Sequence, residues 1–204
     1  MLERRRLVLG ASLVLAVGLL GACAKLPQAE IDQAQATLKA AGDAEAPIYA
    51  SEAWSTAQKS MNAATAEIEA QNAKFALTRS YKNAQTLLAT AQQDAAAAQE
   101  AAVEGKELAK AEVEQAVAEI EAGFAQADEL LQNLATCPRR PKGFASDLEL
   151  LRGNVDGLRG QLPDVQSTAA QERYLEAKSL AQELLGQVET VLADLESAKA
   201  KIGC

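Results

Sequence analysis

Apolar residues recur along most of this chain at steps of three and four. The longest run is Tyr81, Ala84, Leu88, Ala91, Ala95, Ala98, Ala102, Lys106, Ala109, Val113, Ala116, Ile120, Phe124, Ala127, Leu131 and Leu134, in which only Lys106 is polar. Its mean step is about 3.5 residues, the period of helices that pair in a supercoil. Two successive steps of four near Ile120 read as a stutter. The run predicts one helix roughly 80 Å long at 1.5 Å per residue.

Shorter runs flank it. Ile31, Ala34, Leu38 and Ala41 precede a stop at Gly42-Asp43. Ala46-Pro47 reopens a helix whose face is Ala50, Ala53 or Trp54, Ala57, Met61, Ala64 and Ile68. The weaker stretch Gln71 to Ser80 is expected to hold a turn. Pro138, Pro141 and Gly143 end the long helix. Ser146-Asp147-Leu148-Glu149 has the spacing of a capping box and is expected to open the next helix. That helix carries Leu148, Leu151, Val155, Leu158 and Leu162, and a turn is expected around Pro163. The last helix follows Ala170, Tyr174, Ala177, Ala181, Leu184, Val188, Val191, Leu195, Ala198 and Ile202. The pattern predicts an all-α fold: an elongated antiparallel helical hairpin or coiled-coil bundle of about five helices. A weak internal echo is present, since Tyr81-Lys-Asn-Ala84-Gln-Thr-Leu87 and Tyr174-Leu-Glu-Ala177-Lys-Ser-Leu180 share Tyr-x-x-Ala-x-x-Leu.

Composition explains how such helices would pack. Alanine accounts for 45 of 204 residues, while aromatics are 3%. Alanine is the best helix former but buries little area, so its cores are thin and backbones approach closely. The absence of histidine excludes histidine-based triads and general bases, and histidine-ligated zinc or haem. Neither a metal nor another cofactor is expected. Glu112, Glu114 and Glu119 fall at helical spacing and read as a solvated face rather than an acid–base pair.

The N-terminus has a different character. Arg4, Arg5 and Arg6 precede an apolar or small-residue stretch from Leu7 to Leu20, too short to span a bilayer and suited to a secretory signal. It ends in Leu20-Gly21-Ala22-Cys23, which resembles the lipobox of bacterial lipoproteins. That resemblance implies cleavage before Cys23 and lipid on its sulfur. An ordinary cleaved signal or an uncleaved anchor are the alternatives. One acyl chain binds a membrane marginally, and two or three hold it stably. Ala24 after the cut implies, by the same resemblance, sorting to the outer membrane of a Gram-negative cell. Loss of the leader removes three arginines and Glu3, taking the net charge from −8 to −10. So acidic a body is not a nucleic-acid binder, and it is repelled by anionic headgroups, so bilayer contact is expected through the lipid.

Two cysteines remain after lipidation, too few for a four-cysteine metal site. Cys137 and Cys204 are an even pair at helix ends in an oxidising compartment, and a disulfide between them is one expectation. Straight rods in a simple up-down-up layout would leave Cys204 roughly 30 Å past Cys137. A bond to another molecule, or free thiols, are the other readings. Arg139, Arg140 and Lys142 form a basic loop on this acidic body, either a docking point for an anionic partner or a turn whose cations favour the preceding helix C-terminus. Trp54, Tyr49 and Phe75 read as a small apolar groove or, alternatively, as large residues that fix register among alanines.

The body also resembles a known family. Ala46-Pro-x-Tyr49-Ala50 followed by Ala53 and Ala57, then Tyr81-x-x-Ala84-x-x-Leu87 with Asp94-Ala95, is similar to alanine-rich envelope lipoproteins of unknown function. Some members are joined to an OmpA-like peptidoglycan-binding domain, which does not follow here. The resemblance covers roughly residues 29–102, implies a helical hairpin, and brings no catalytic residues. The expected organisation is a leader at 1–22, a lipidated tether at 23–28, an alanine-rich hairpin at 29–136, a basic loop at 137–145 and a helical pair at 146–204. The expected role is a non-enzymatic, lipid-anchored scaffold, spacer or adaptor of the envelope. Its partners would be the membrane, other envelope proteins or itself. A carrier of an apolar ligand is the alternative.

Overall fold

The computed structural model describes residues 24–203. The fold is all-α, as the periodicity predicts. Among the described residues there are seven α-helices: α1 Gln28–Asp43, α2 Ala46–Tyr49, α3 Ser51–Asn72, α4 Lys82–Thr136, α5 Phe144–Arg159, α6 Leu162–Ala170 and α7 Tyr174–Ile202. A short 3₁₀ turn, Ala76–Thr78, sits between α3 and α4. The chain divides into two compact units, Met1–Gly105 and Lys106–Cys204, so the division falls within the 55-residue α4 rather than in the proline-rich loop.

The seam of α4 behaves as its spacing demands. From Tyr81 through Leu134 every apolar member is buried, and the stutter at Ile120 does not interrupt it. Lys106 is the exception. Its side chain is 26% exposed, and its ammonium donates to Glu172 at 2.7 Å.

In the first unit, α1 and the start of α4 run the same way, with α3 antiparallel to both. Gln85 donates to the carboxylate of Glu30 (3.1 Å), and Gln92 donates to the Glu30 carbonyl (3.3 Å). Ser60 of α3 donates to Asp94, and Tyr81, just before α4, donates to Asn72 at the end of α3. Two cores result. Ala41, Ala46, Ala57, Ala95, Ala98 and Ala102 form one, walled by Leu38, Tyr49 and Trp54. Ala34, Met61, Ala64, Leu88 and Ala91 form the other. Side chains this small bring backbones close: a Cβ on Gly105 would lie 2.5 Å from the Tyr49 carbonyl oxygen. The break at Gly42-Asp43 is as expected. Glu45 turns through the left-handed region (φ 62°) before Pro47 enters the first turn of α2.

The second unit repeats the plan. The end of α4 and α7 run parallel, tied by Lys178 to Glu112 at 2.6 Å, while α5 and α6 return between them. Arg159 clasps Asp128 at 2.8 Å and lies 5.3 Å above the Phe124 ring. Its core is built of larger residues, including Ile120, Phe124, Leu131, Leu134, Leu184 and Leu195.

The single helix expected from Ala46 to Ile68 is broken at Ala50 into α2 and α3. Two further local expectations are corrected. First, α5 opens at Phe144, two residues before the expected capping box. Gly143 in the left-handed region (φ 91°) serves as the cap, with its carbonyl accepting from Ser146 and Asp147, and Ser146 lies inside the helix. Second, the expected turn around Pro163 does not reverse the chain. Gly160 and Gln161 keep right-handed helical backbone. Both α5 and α6 then pack on α7. Pro163 occupies the first turn of α6, where its missing N–H costs nothing.

Candidate functional site

Cys23 and Cys204 lie outside the described residues, so the structure bears on the lipidation expectation only through the residues just after Cys23. Ala24, Lys25 and Leu26 are exposed, Pro27 is buried, and α1 begins at Gln28. The tether between Cys23 and the helical body is therefore short. Four residues of extended chain reach at most about 14 Å.

Cys137 is 3% exposed and disulfide-bonded. Its partner lies outside the described residues, where the sequence holds Cys23 and Cys204. An offset of roughly 30 Å between Cys137 and the end of the last helix requires α5 alone to return. With α6 also returning, about 38 Å of helix opposes the roughly 43 Å of α7. Gly203, which ends α7 in the left-handed region, lies against Arg139: a Cβ there would come 2.9 Å from its Nη1.

The basic loop is exposed, but Arg140 is engaged. Its Nη2 donates to the Ala135 carbonyl at 2.8 Å and its Nε to the Cys137 carbonyl at 3.4 Å. These are acceptors that the end of α4 leaves without helical partners, and a guanidinium suits the negative end of the helix dipole. Arg139 and Lys142 are exposed beside it. The loop thus reads first as a helix terminator, with two cations offered outward.

Between α5 and α7 lies a cavity of about 400 Å³. Leu134, Phe144, Leu148, Leu151, Ala198 and Ile202 line it, with Lys142, Lys201, Asp147 and Asp194 around it. Sequence reasoning missed this cavity. Its lining comes from α5 and α7 with Leu134 of α4, and the periodicity leaves the register among these helices open.

The groove expected from Trp54, Tyr49 and Phe75 does not form. Tyr49 and Trp54 pack on the alanine core of the first unit. Phe75 is 72% exposed in the α3–α4 turn. Glu114 and Glu119 are exposed, as expected of a solvated face, and half-buried Glu112 is bound by Lys178.

Lys106, the single polar residue of the seam, holds the Glu172 carboxyl below its ordinary range through a hydrogen bond and its charge. Glu172 stands in the left-handed region (φ 60°) just before α7, so the pair marks the turn that starts that helix. Among the described residues, no group of three or more His, Cys, Asp or Glu side chains is placed to hold a metal ion, and no helix is long and apolar enough to cross a membrane. No protein-family model, curated protein or solved structure matches the chain.

Proposed function

We propose that this chain is a lipid-anchored, non-enzymatic scaffold or adaptor of the bacterial envelope, carried on the periplasmic face of the outer membrane by acyl chains on Cys23. The observation that carries it is the junction: a lipobox-like Leu20-Gly21-Ala22-Cys23 is followed within five residues by a helical body with Pro27 already buried. A lipid on Cys23 would therefore seat the body at the membrane surface. The mechanism is geometric. The anchor fixes one end of α1, and the polar helical faces are offered to protein partners or to a second copy of the chain.

Mass spectrometry of the protein purified from envelopes tests the anchor. The expected mature terminus is Cys23 with diacylglyceryl mass, and an intact leader or an unacylated terminus overturns the reading. Crosslinking in intact envelopes with the lipidated chain as bait then tests the scaffold. It is expected to recover discrete protein partners, and a chain that crosslinks to nothing is not a scaffold.

The cavity between α5 and α7 favours a second reading, a carrier of an apolar molecule. That reading requires a ligand that co-purifies and raises the melting temperature, and the scaffold requires neither.

A further inference from the structure

We infer that the α3–α4 turn is a second membrane contact, a wedge that dips into the headgroup region of the same bilayer that holds the Cys23 lipid. The inference rests on the lipid anchor proposed above. It starts from three observations made within the first unit.

The first is exposure. Phe75 and Leu77, two residues apart in one turn, are 72% and 67% exposed. Large apolar groups so open to water are a standing cost unless something covers them.

The second is bracing. The turn that presents these residues is tied down. Arg79 donates to the carbonyls of Asn72 and Lys74, both at 2.9 Å. Tyr81 donates to Asn72, and the Ser80 amide donates to Gln71 at 3.1 Å. Gln71 is itself buried and donates to Glu67. Phe75 and Leu77 are therefore held outward by a fixed frame, and inserting them would require little ordering.

The third is charge and position. Lys74, Arg79 and Lys82 flank the two apolar residues along the chain, and no acidic residue occurs between Glu69 and Asp94. A chain whose net charge is strongly negative thus has a locally cationic, apolar-tipped turn. This is the composition of a segment that lies at a membrane interface over anionic headgroups. The global repulsion between an acidic body and anionic lipid does not apply to this turn, because screening limits each charge to about one Debye length, roughly 8 Å at physiological salt.

What commits the turn to a bilayer rather than to a protein groove is where the anchor leaves the body. Helix α1 runs parallel to α4, with Glu30 level with Gln85. The start of α1 and the α3–α4 turn are therefore at the same end of this unit. Pro27 is buried at that end, and Lys25 and the 40%-exposed Leu26 precede it. Lipid on Cys23, within about 14 Å of Pro27, brings this end to the membrane surface. The opposite end of the unit is formed by α2, where Ile48 is exposed and serves as an internal control.

The test uses the lipidated full chain in vesicles of phosphatidylethanolamine and phosphatidylglycerol with dibrominated acyl chains. Tryptophan is moved to the turn (Phe75→Trp) or to the far end (Ile48→Trp), each in a Trp54→Phe background with circular dichroism confirming the fold. The expected result is a blue-shifted emission quenched by bromine for Phe75→Trp, with no quenching for Ile48→Trp. Quenching at residue 75 is expected to fall when Lys74→Glu and Lys82→Glu are added. Vesicle-bound, acylated protein with an unquenched or equally quenched tryptophan at both positions overturns the wedge and leaves the anchor standing. Protein that carries no acyl mass and does not float with vesicles overturns the anchor, and the wedge with it.

Discussion

The two compact units share one plan but use different materials. Each sends a helix out, returns, and sends a further helix out again. In each, Tyr-x-x-Ala-x-x-Leu leads into that last helix, with Tyr81 just before α4 and Tyr174 the first residue of α7. The first unit holds 26 alanines in residues 24–105, and the second holds 16 in residues 106–203. One core is accordingly made of alanine methyls pressed against neighbouring backbone, and the other of leucine, valine and phenylalanine side chains that interlock. The same topology therefore tolerates two packing regimes. In the first, space is set by backbone approach, and in the second by side-chain volume. Mutations should fail differently in each.

The largest effect is expected in the second unit. Leu184→Ala removes a fully buried side chain from the interlocked core and should cost about 2–5 kcal/mol, read from urea unfolding. The first unit should respond to the opposite change. Ala98→Leu introduces volume where the exposure is 0%, and overpacking of this kind costs about 1–3 kcal/mol. A neutral Ala98→Leu would mean the alanine core has slack, and the contrast between the units would collapse.

Two glycines sharpen the comparison at the level of single contacts. A Cβ at Gly105 meets a main-chain oxygen of Tyr49, whereas a Cβ at Gly123 meets the Cγ1 of Val188, each at 2.5 Å. Both Gly→Ala changes should destabilise, by up to about 2 kcal/mol once the gain in helix propensity is set against the clash. Only Gly123→Ala should be relieved by trimming its neighbour, with Val188→Ala. Tyr49→Ala should leave the Gly105→Ala defect in place, because the obstructing atom is backbone. By contrast, Gly157 has no atom within 4 Å of a Cβ, and Gly157→Ala should stabilise by about 0.8–1 kcal/mol, read as a higher melting temperature.

The smallest effect concerns the Lys106–Glu172 pair. The folded-state pKa of Glu172 is depressed below its ordinary value of 4.5, so its contribution is complete above that value and is lost as pH falls through the lowered one. The stability difference between the wild type and Glu172→Gln should therefore be constant from pH 7 to about 5 and vanish at lower pH. A difference that persists unchanged into strong acid would show that the pair does not carry it.

How much of this was legible in the sequence varies by element. The long helix was legible residue by residue: every apolar position of the predicted seam from Tyr81 to Leu134 is buried, and its one polar position is the one that meets an ionic partner. Helix periodicity is a property of one chain segment, and covalent geometry alone imposes it. The turn between α3 and α4 was legible as a weakening of that pattern. The start of α5 was not, because a glycine cap and a capping box compete locally, and burial of Phe144 favours the glycine.

Beyond single helices, the sequence by itself determined that the chain is helical, where its seams lie, that alanine dominates the first half, and that a lipobox-like segment precedes the body. Only the tertiary structure decided that the return strokes are α3 in one unit and α5 with α6 in the other. It also decided that a cavity opens between α5 and α7, and that Phe75 and Leu77 stand at the end of the first unit where α1 begins. These are matters of register between segments far apart in the chain. Register is set by which side chains fit across a helical interface, and an alanine-rich seam presents nearly the same small surface at every turn, so its own spacing names no partner.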